Sequence, residues 1–170
     1  ALEHLLRGHQ PYPAVVFDHE YYLVMANQAM QAMMARMVAL GARFPARPNF
    51  LLSLLDDQGM KPFVGDWVTI ASHLLQRVYH EHLAGPFRDQ PNRLLEQALT
   101  VPGVPQDWKS HVVEHLDYPA IPFTLNLGDH QLRIFSTIAT IGTPLDVTAQ
   151  NLRIEHFFPM DERSKAYWQG

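Results

Sequence analysis

Pro122-Phe123-Thr124-Leu125-Asn126-Leu127-Gly128-Asp129-His130-Gln131-Leu132-Arg133-Ile134 is the stretch on which the fold turns. Phe123, Leu125 and Leu127 alternate with Thr124 and Asn126, a period of two that lays every second side chain on one face of a strand. Gly128-Asp129 then supplies a hairpin turn, because glycine reaches the positive φ that a two-residue connection needs. A return strand is expected over residues 131–141 and a last strand over residues 151–158, in which Leu152, Ile154, His156 and Phe158 share one side. Arg153 and Glu155 are then expected as a pair on the exposed side of the sheet, with Thr143 and Thr148 satisfying backbone groups in the turn before it.

Upstream of this stretch the period is 3.6. Asp66 opens the clearest helix, with Trp67, Ile70, Ala71, Leu74, Leu75 and Val78 at helical spacing, until Gly85-Pro86 breaks it. A shorter helix follows over residues 90–99 through Leu94, Leu95, Ala98 and Leu99. Asn49 can cap a short helix holding Leu51, Leu52, Leu54 and Leu55, and Asn27 can cap one running from Ala29 to Leu40 and ended by Gly41. At the start, Ala14-Val15-Val16-Phe17 and Tyr22-Leu23-Val24-Met25 read as two short strands. Two strands, a helical middle and three further strands predict an α+β fold, one antiparallel sheet with helices packed on one face.

At 170 residues the chain has the size of one domain, and 47% apolar with 18% charged residues is the balance of a folded soluble protein. No run approaches the roughly eighteen apolar residues of a membrane span. There is no cysteine, which removes disulfides, thiolate metal sites and cysteine nucleophiles and fits the cytoplasm. Ala1 leads straight into Leu2, Leu5 and Leu6, spaced like one side of a helix. Residues 1–12 are therefore expected to be a linker helix, the stub of a longer chain, residues 13–160 the domain itself and residues 161–170 a polar tail. A formal charge of −4 argues against a grip on nucleic acid by this piece alone.

Catalytic patterns are thin. His111-Val112-Val113-Glu114-His115 matches the H-x-x-E-H string of inverted zinc peptidases, and on a helix His111 and His115 would share a face while Glu114 held a water. Ten histidines in 170 residues make such pairs common, and no third ligand is evident. A solvated histidine-rich loop is the preferred reading, with a metal-dependent hydrolase on His111, Glu114 and His115 as the alternative. His73 and the run His80-Glu81-His82 read as a polar helix edge. Ser136, Thr137, His130 and Asp129 lack a nucleophile elbow, and no glycine-rich phosphate loop occurs. No cofactor is expected.

What stands out is a supply of adaptable apolar side chains. Met25, Met30, Met33, Met34 and Met37 crowd one segment, followed by Phe50, Leu52, Leu55, Met60, Phe63 and Trp67. Methionine is flexible and polarizable and suits a wall that must fit a long, bendable ligand. A pocket between sheet and helices would draw on Phe17, Met25, Met30, Met34, Leu52 and Leu55, and on Trp67, Ile70, Leu74, Phe123, Leu125 and Phe135. Arg133, His130 or Asn27 would meet the ligand's polar head. The same residues would also serve as ordinary core, or as the face of a ligand-free dimerisation module.

Tyr12-Pro13-Ala14-Val15-Val16-Phe17-Asp18 followed by Tyr22-Leu23-Val24-Met25-Ala26-Asn27-Gln28-Ala29 resembles the opening of a PAS domain, two strands leading into an Asn-x-Ala helix start. Added to this are Asp66-Trp67, Val101-Pro102-Gly103-Val104-Pro105-Gln106-Asp107-Trp108 and Leu132-Arg133-Ile134-Phe135-Ser136-Thr137. With Gly142-Thr143-Pro144-Leu145-Asp146-Val147-Thr148 and Leu152-Arg153-Ile154-Glu155-His156-Phe157-Phe158-Pro159, nearly the whole chain resembles the MmyB-like ligand-binding domain of XRE-family helix-turn-helix regulators. It departs from the better-known branch at Tyr118-Pro119-Ala120-Ile121-Pro122, where that branch carries His-Pro-x-Val-Gly. The resemblance implies a PAS-like fold and a DNA-binding domain before Ala1. It also implies action as a homodimer on an operator and an apolar effector such as a fatty acid or acyl compound.

Overall fold

In the computed structural model, which describes residues 1–112, 121–141 and 152–170, six strands form one antiparallel sheet. They are β1 (Ala14–Phe17), β2 (Leu23–Ala26), β3 (Val64–Gly65), β4 (Phe123–Leu127), β5 (His130–Thr140) and β6 (Arg153–Pro159), in the order β2-β1-β6-β5-β4-β3. The expected hairpin is present: Leu127 pairs with His130 across Gly128, whose φ is +64°. The last strand does not extend the edge. It enters between β1 and β5, pairing Val15 with Glu155 and Ile138 with Glu155 on its two sides. β3, two residues long, is an edge strand on β4 that the sequence reading did not include.

The helices are α1 (Leu2–Arg7), α2 (Gln28–Ala39), α3 (Phe50–Leu55), α4 (Trp67–Ala84), α5 (Arg93–Leu99) and α6 (Glu162–Gln169). Asparagine starts three of them. Oδ1 of Asn27, Asn49 and Asn92 accepts from the backbone N–H of Met30, Leu52 and Leu95 respectively, satisfying amides that have no partner inside the helix. Past the end of α2, Gly41 takes φ +110°, and the Ala42 N–H reaches back to the Met37 carbonyl at 2.9 Å. That is the left-handed stop for which glycine has no steric penalty.

Helices α2 to α5 cover one face of the sheet. Met30, Met33, Met37, Leu51, Leu55, Leu74, Leu75 and Leu95 meet Val15, Phe17, Leu125, Leu127, Leu132, Ile134 and Phe157 in the main core. Side chains that alternate with these lie on the other face, where Ala14, Val16 and Ile154 form a smaller cluster with Leu6 of α1, joined by Met25 and Leu152. Residues 161–170, expected as a polar tail, contain α6. Asp161 caps it through Ser164 N–H at 2.8 Å, and the fully buried Ser164 hydroxyl accepts from the Arg133 N–H at 2.8 Å. Only Tyr167 and Trp168 give this helix an apolar side, too little for a periodicity to register.

Candidate functional site

Between the sheet and its helical cover lies a cavity of about 360 Å³, within the range of small-molecule sites, about 300–1,000 Å³. α4 lends it Ile70, His73, Leu74 and Arg77, three and four residues apart and so on one helix face. Met30 and Met33 of α2 and Phe50 and Leu54 of α3 complete the helical wall, with Met60 from the turn beyond. The floor is sheet: Val64 of β3, Phe123 and Leu125 of β4, Ile134, Ser136 and Ile138 of β5, Glu155 and Phe157 of β6. β4 and β6 contribute alternate residues, as the pleat requires, while β5 adds Thr137 between Ser136 and Ile138.

One end of the cavity is ionic. Glu155, 3% exposed, accepts on Oε1 from the Ser136 hydroxyl at 2.7 Å, and Arg77 Nη1 stands 3.9 Å from the same oxygen. Arg77 Nε donates to the Tyr21 hydroxyl at 3.2 Å, which donates to Glu81 Oε2 at 2.7 Å. Arg153 Nη2 closes the series at 3.2 Å from Glu81 Oε2. Tyr21 holds its place at φ +69°, a left-handed conformation uncommon for a bulky residue and characteristic of strained, functional positions. Its ring is fully buried and stacks on Phe17 with centroids 4.9 Å apart.

Two polar atoms of the residues that line this end are left over. Arg77 Nη2 and Glu155 Oε2 are both buried and have no hydrogen-bond partner among the described residues. Arg153 Nη1 is in the same condition, but Arg153 lines a separate, larger groove of about 1100 Å³ on the outer side of the network, beside Glu81, Phe87 and Asn92. That groove is lined by α4, α5 and the loops beside them, with polar and apolar residues intermixed. The smaller cavity, with apolar core walls and a single ionic end, is the better candidate for a small-molecule site.

Burial lifts the Tyr21 phenol well above its ordinary value, so its proton stays available to Glu81. Burial also raises the Glu155 carboxyl above the usual carboxylate range, against the opposing pull of Arg77 and Ser136. The 3.9 Å separation from Arg77 is too long for a hydrogen bond, so attraction does not offset desolvation. A carboxyl raised in the folded state contributes stability that is present below its unfolded pKa and lost as pH rises through its folded pKa. Glu155→Gln, which never ionises, is therefore expected to raise the melting temperature at mildly alkaline pH, with the gain vanishing in acid. Thermal melts across that range check this, and a loss equal at every pH would contradict it.

The structure brings Met30, Ile70, Leu74, Phe123 and Leu125 of the expected pocket residues together around the cavity. The others stand elsewhere. Phe17 is sandwiched between Tyr21 and Phe50. Leu55 is fully buried in the main core with Leu52 and Met34 packed at its margin. Met25 belongs to the smaller cluster on the opposite face, and Phe135 stacks on Phe158 at 5.1 Å. Trp67 donates Nε1–H to the Leu54 carbonyl at 2.7 Å, under Lys61. None of the three head-group candidates lines the cavity. Asn27 makes four hydrogen bonds within the protein, Arg133 is exposed beside α6 and His130 packs on Tyr167.

Sequence reasoning placed Glu155 and Arg153 as a pair on the exposed side of the sheet, and the structure corrects this. β6 is a central strand covered on both faces, and Glu155 shares the main-core side with Phe157. Each of the two residues has a partner on α4 instead: Glu155 has Arg77, and Arg153 has Glu81. Glu81, read as helix edge, is thus part of the network. Tyr21 carried no local signal, and a polar residue inside an apolar helix stripe is the only trace Arg77 leaves in the sequence.

His111 Nε2 lies 3.3 Å from the Thr69 hydroxyl, while Glu114 and His115 fall outside the described residues, as do Thr143 and Thr148. Among the described residues no three His, Asp or Glu gather in a way that could hold a metal ion. No described helix is long and apolar enough to cross a membrane. No match is found among curated proteins or among solved structures. A match does cover residues 1–169, end to end across the sheet, its helical cover and the cavity between them, and by it the chain belongs to the family described as the MmyB-like transcription regulator ligand binding domain.

Proposed function

We propose that this chain is the effector-sensing domain of a bacterial helix-turn-helix regulator of the XRE type, and that its cavity takes an apolar small molecule with an acyl tail, such as a fatty acid. The observation that carries the reading is the 360 Å³ space walled by Met30, Met33, Leu54, Ile70, Leu74 and Phe157, with a single polar end. Burial of a tail contributes about 0.8 kcal/mol per CH₂, enough to divide between binding and a change of conformation. A ligand moves that balance only through a difference in affinity for the two states. Contact with DNA falls to a separate helix-turn-helix domain, since this chain carries a net charge of −4, and two copies of the regulator act together at a cytoplasmic operator.

Denaturing the purified chain and running lipid mass spectrometry on the extract tests the reading. An acyl compound in the extract, or a rise in melting temperature on adding decanoate, is the expected result; an empty extract with no melting shift would sink it. Ile70→Trp places an indole in the cavity from the partly exposed edge of α4. Affinity for apolar ligands is expected to fall at least tenfold, about 1.4 kcal/mol, with the fold retained. Unchanged affinity, measured by calorimetry, would mean that the ligand sits elsewhere.

A further inference from the structure

The ionic end of the cavity specifies more than polarity. Among the described residues, those that face Glu155 are Arg77, Glu81 and His73 on α4, Ser136 on β5, Arg153 on its own strand, and Tyr21 from the turn before β2. With Glu155 ionised, Arg77 and Arg153 balance Glu81 and Glu155, and the phenol is neutral. The two leftover atoms are then one donor, Arg77 Nη2, and one acceptor, Glu155 Oε2. An anionic head entering this end would bring an unbalanced charge into contact with a carboxylate. Two carboxylates in contact at a buried site cannot both stay ionised.

Resting on the reading of the cavity above, we propose that the head of the ligand is a carboxylate that shares one proton with Glu155, so that binding an anionic amphiphile takes up a proton from solution. The added proton restores the charge balance. It also turns Glu155 Oε2 into a donor beside Arg77 Nη2, and the two oxygens of the ligand carboxylate accept one hydrogen bond each. No covalent bond forms or breaks, and the proton comes from solvent or buffer. The burial that already lifts the Glu155 carboxyl acts in the same direction.

Calorimetry of this chain with decanoate and with decan-1-ol, each in two buffers of different ionisation enthalpy, tests the proposal. Decanoate is expected to bind with uptake of one proton at pH values above the Glu155 pKa of the free protein, and decanol with none at any pH. The affinity for decanoate should fall about tenfold per pH unit above the Glu155 pKa of the free protein, as linkage requires for one proton. In Glu155→Gln the amide donates without a proton, so decanoate should still bind and the uptake should vanish. Decanoate binding without uptake in the native chain at every pH of the series, or uptake that persists in Glu155→Gln and so belongs to another group such as His73, overturns the proposal. That outcome leaves the apolar cavity standing, whereas failure of both probes to bind removes the cavity reading and this one with it. The two-buffer comparison on the native chain needs no variant, so a poorly folded Glu155→Gln does not protect the idea.

Discussion

Asn27→Ala is expected to lower the free energy of unfolding by about 3–5 kcal/mol, well beyond an ordinary helix cap, which costs about 1 kcal/mol. The reason is the number of groups one side chain serves. Oδ1 accepts from the N–H of Met30 at 2.9 Å and of Ala14 at 3.0 Å, while Nδ2 donates to the carbonyls of Tyr12 at 2.8 Å and Leu6 at 3.2 Å. Asn27 is 6% exposed, so water does not replace these bonds, and each buried group left unsatisfied costs about 1–3 kcal/mol. Asn27→Asp keeps the acceptor and loses both donors, and an intermediate loss is expected. Urea denaturation of the three chains measures this. A cost for alanine of no more than an exposed cap would show that the strands and α1 hold together without the asparagine.

Arg77→Met is the second large effect, expected at about 3–5 kcal/mol, because it leaves Glu155 buried with no cation facing it on α4. Glu81 keeps Arg153 at 3.2 Å, so the damage centres on Glu155 and the Tyr21 hydroxyl. Adding Glu155→Leu is expected to recover most of the loss, since an ion pair replaced as a whole by apolar groups is often neutral in stability. Denaturation of the native chain, both single variants and the double variant closes a cycle that isolates the coupling. Strictly additive losses would mean that the 3.9 Å pair is two independent residues. The double variant should also lose any preference for decanoate over decanol, because it has removed both leftover polar atoms while leaving the walls of the cavity in place.

The elements of this fold were legible where their signals are local. Alternation in Phe123 to Leu127 and the glycine at 128 announced the hairpin, and the α4 stripe from Trp67 to Val78 announced the longest helix. Asn27 and Asn49 marked their helix starts for a reason contained within three residues. Asn92, not Gln90, starts α5, a small shift of the kind expected at helix ends. Five of the expected residues line the cavity because an apolar stripe on α2 or α4 and the inner face of β4 face the core in any α+β arrangement. The remainder of the expected set was placed by residue type, and type does not separate a residue lining a void from one filling the core.

The polar end of the cavity lay beyond reach for a different reason. Leu152, Ile154, His156 and Phe158 form the more apolar side of β6, which made Arg153 and Glu155 look exposed. That inference assumes a strand with one wet face. β6 instead lies between β1 and β5 with α1 behind it and α4 in front, and a strand covered on both faces carries no such rule.

The class of fold, the β4–β5 hairpin, the caps at Asn27 and Asn49 and the family could be read without coordinates, because each is written in periods and motifs of a few neighbouring residues. The entry of the last strand into the middle of the sheet, and with it the meeting of Tyr21, Arg77, Ser136 and Glu155 at one end of a cavity, emerges from how the whole chain packs. Those four residues come from four separate segments of the chain, and their meeting depends on which strands pair, a choice made by long-range packing that no local propensity encodes.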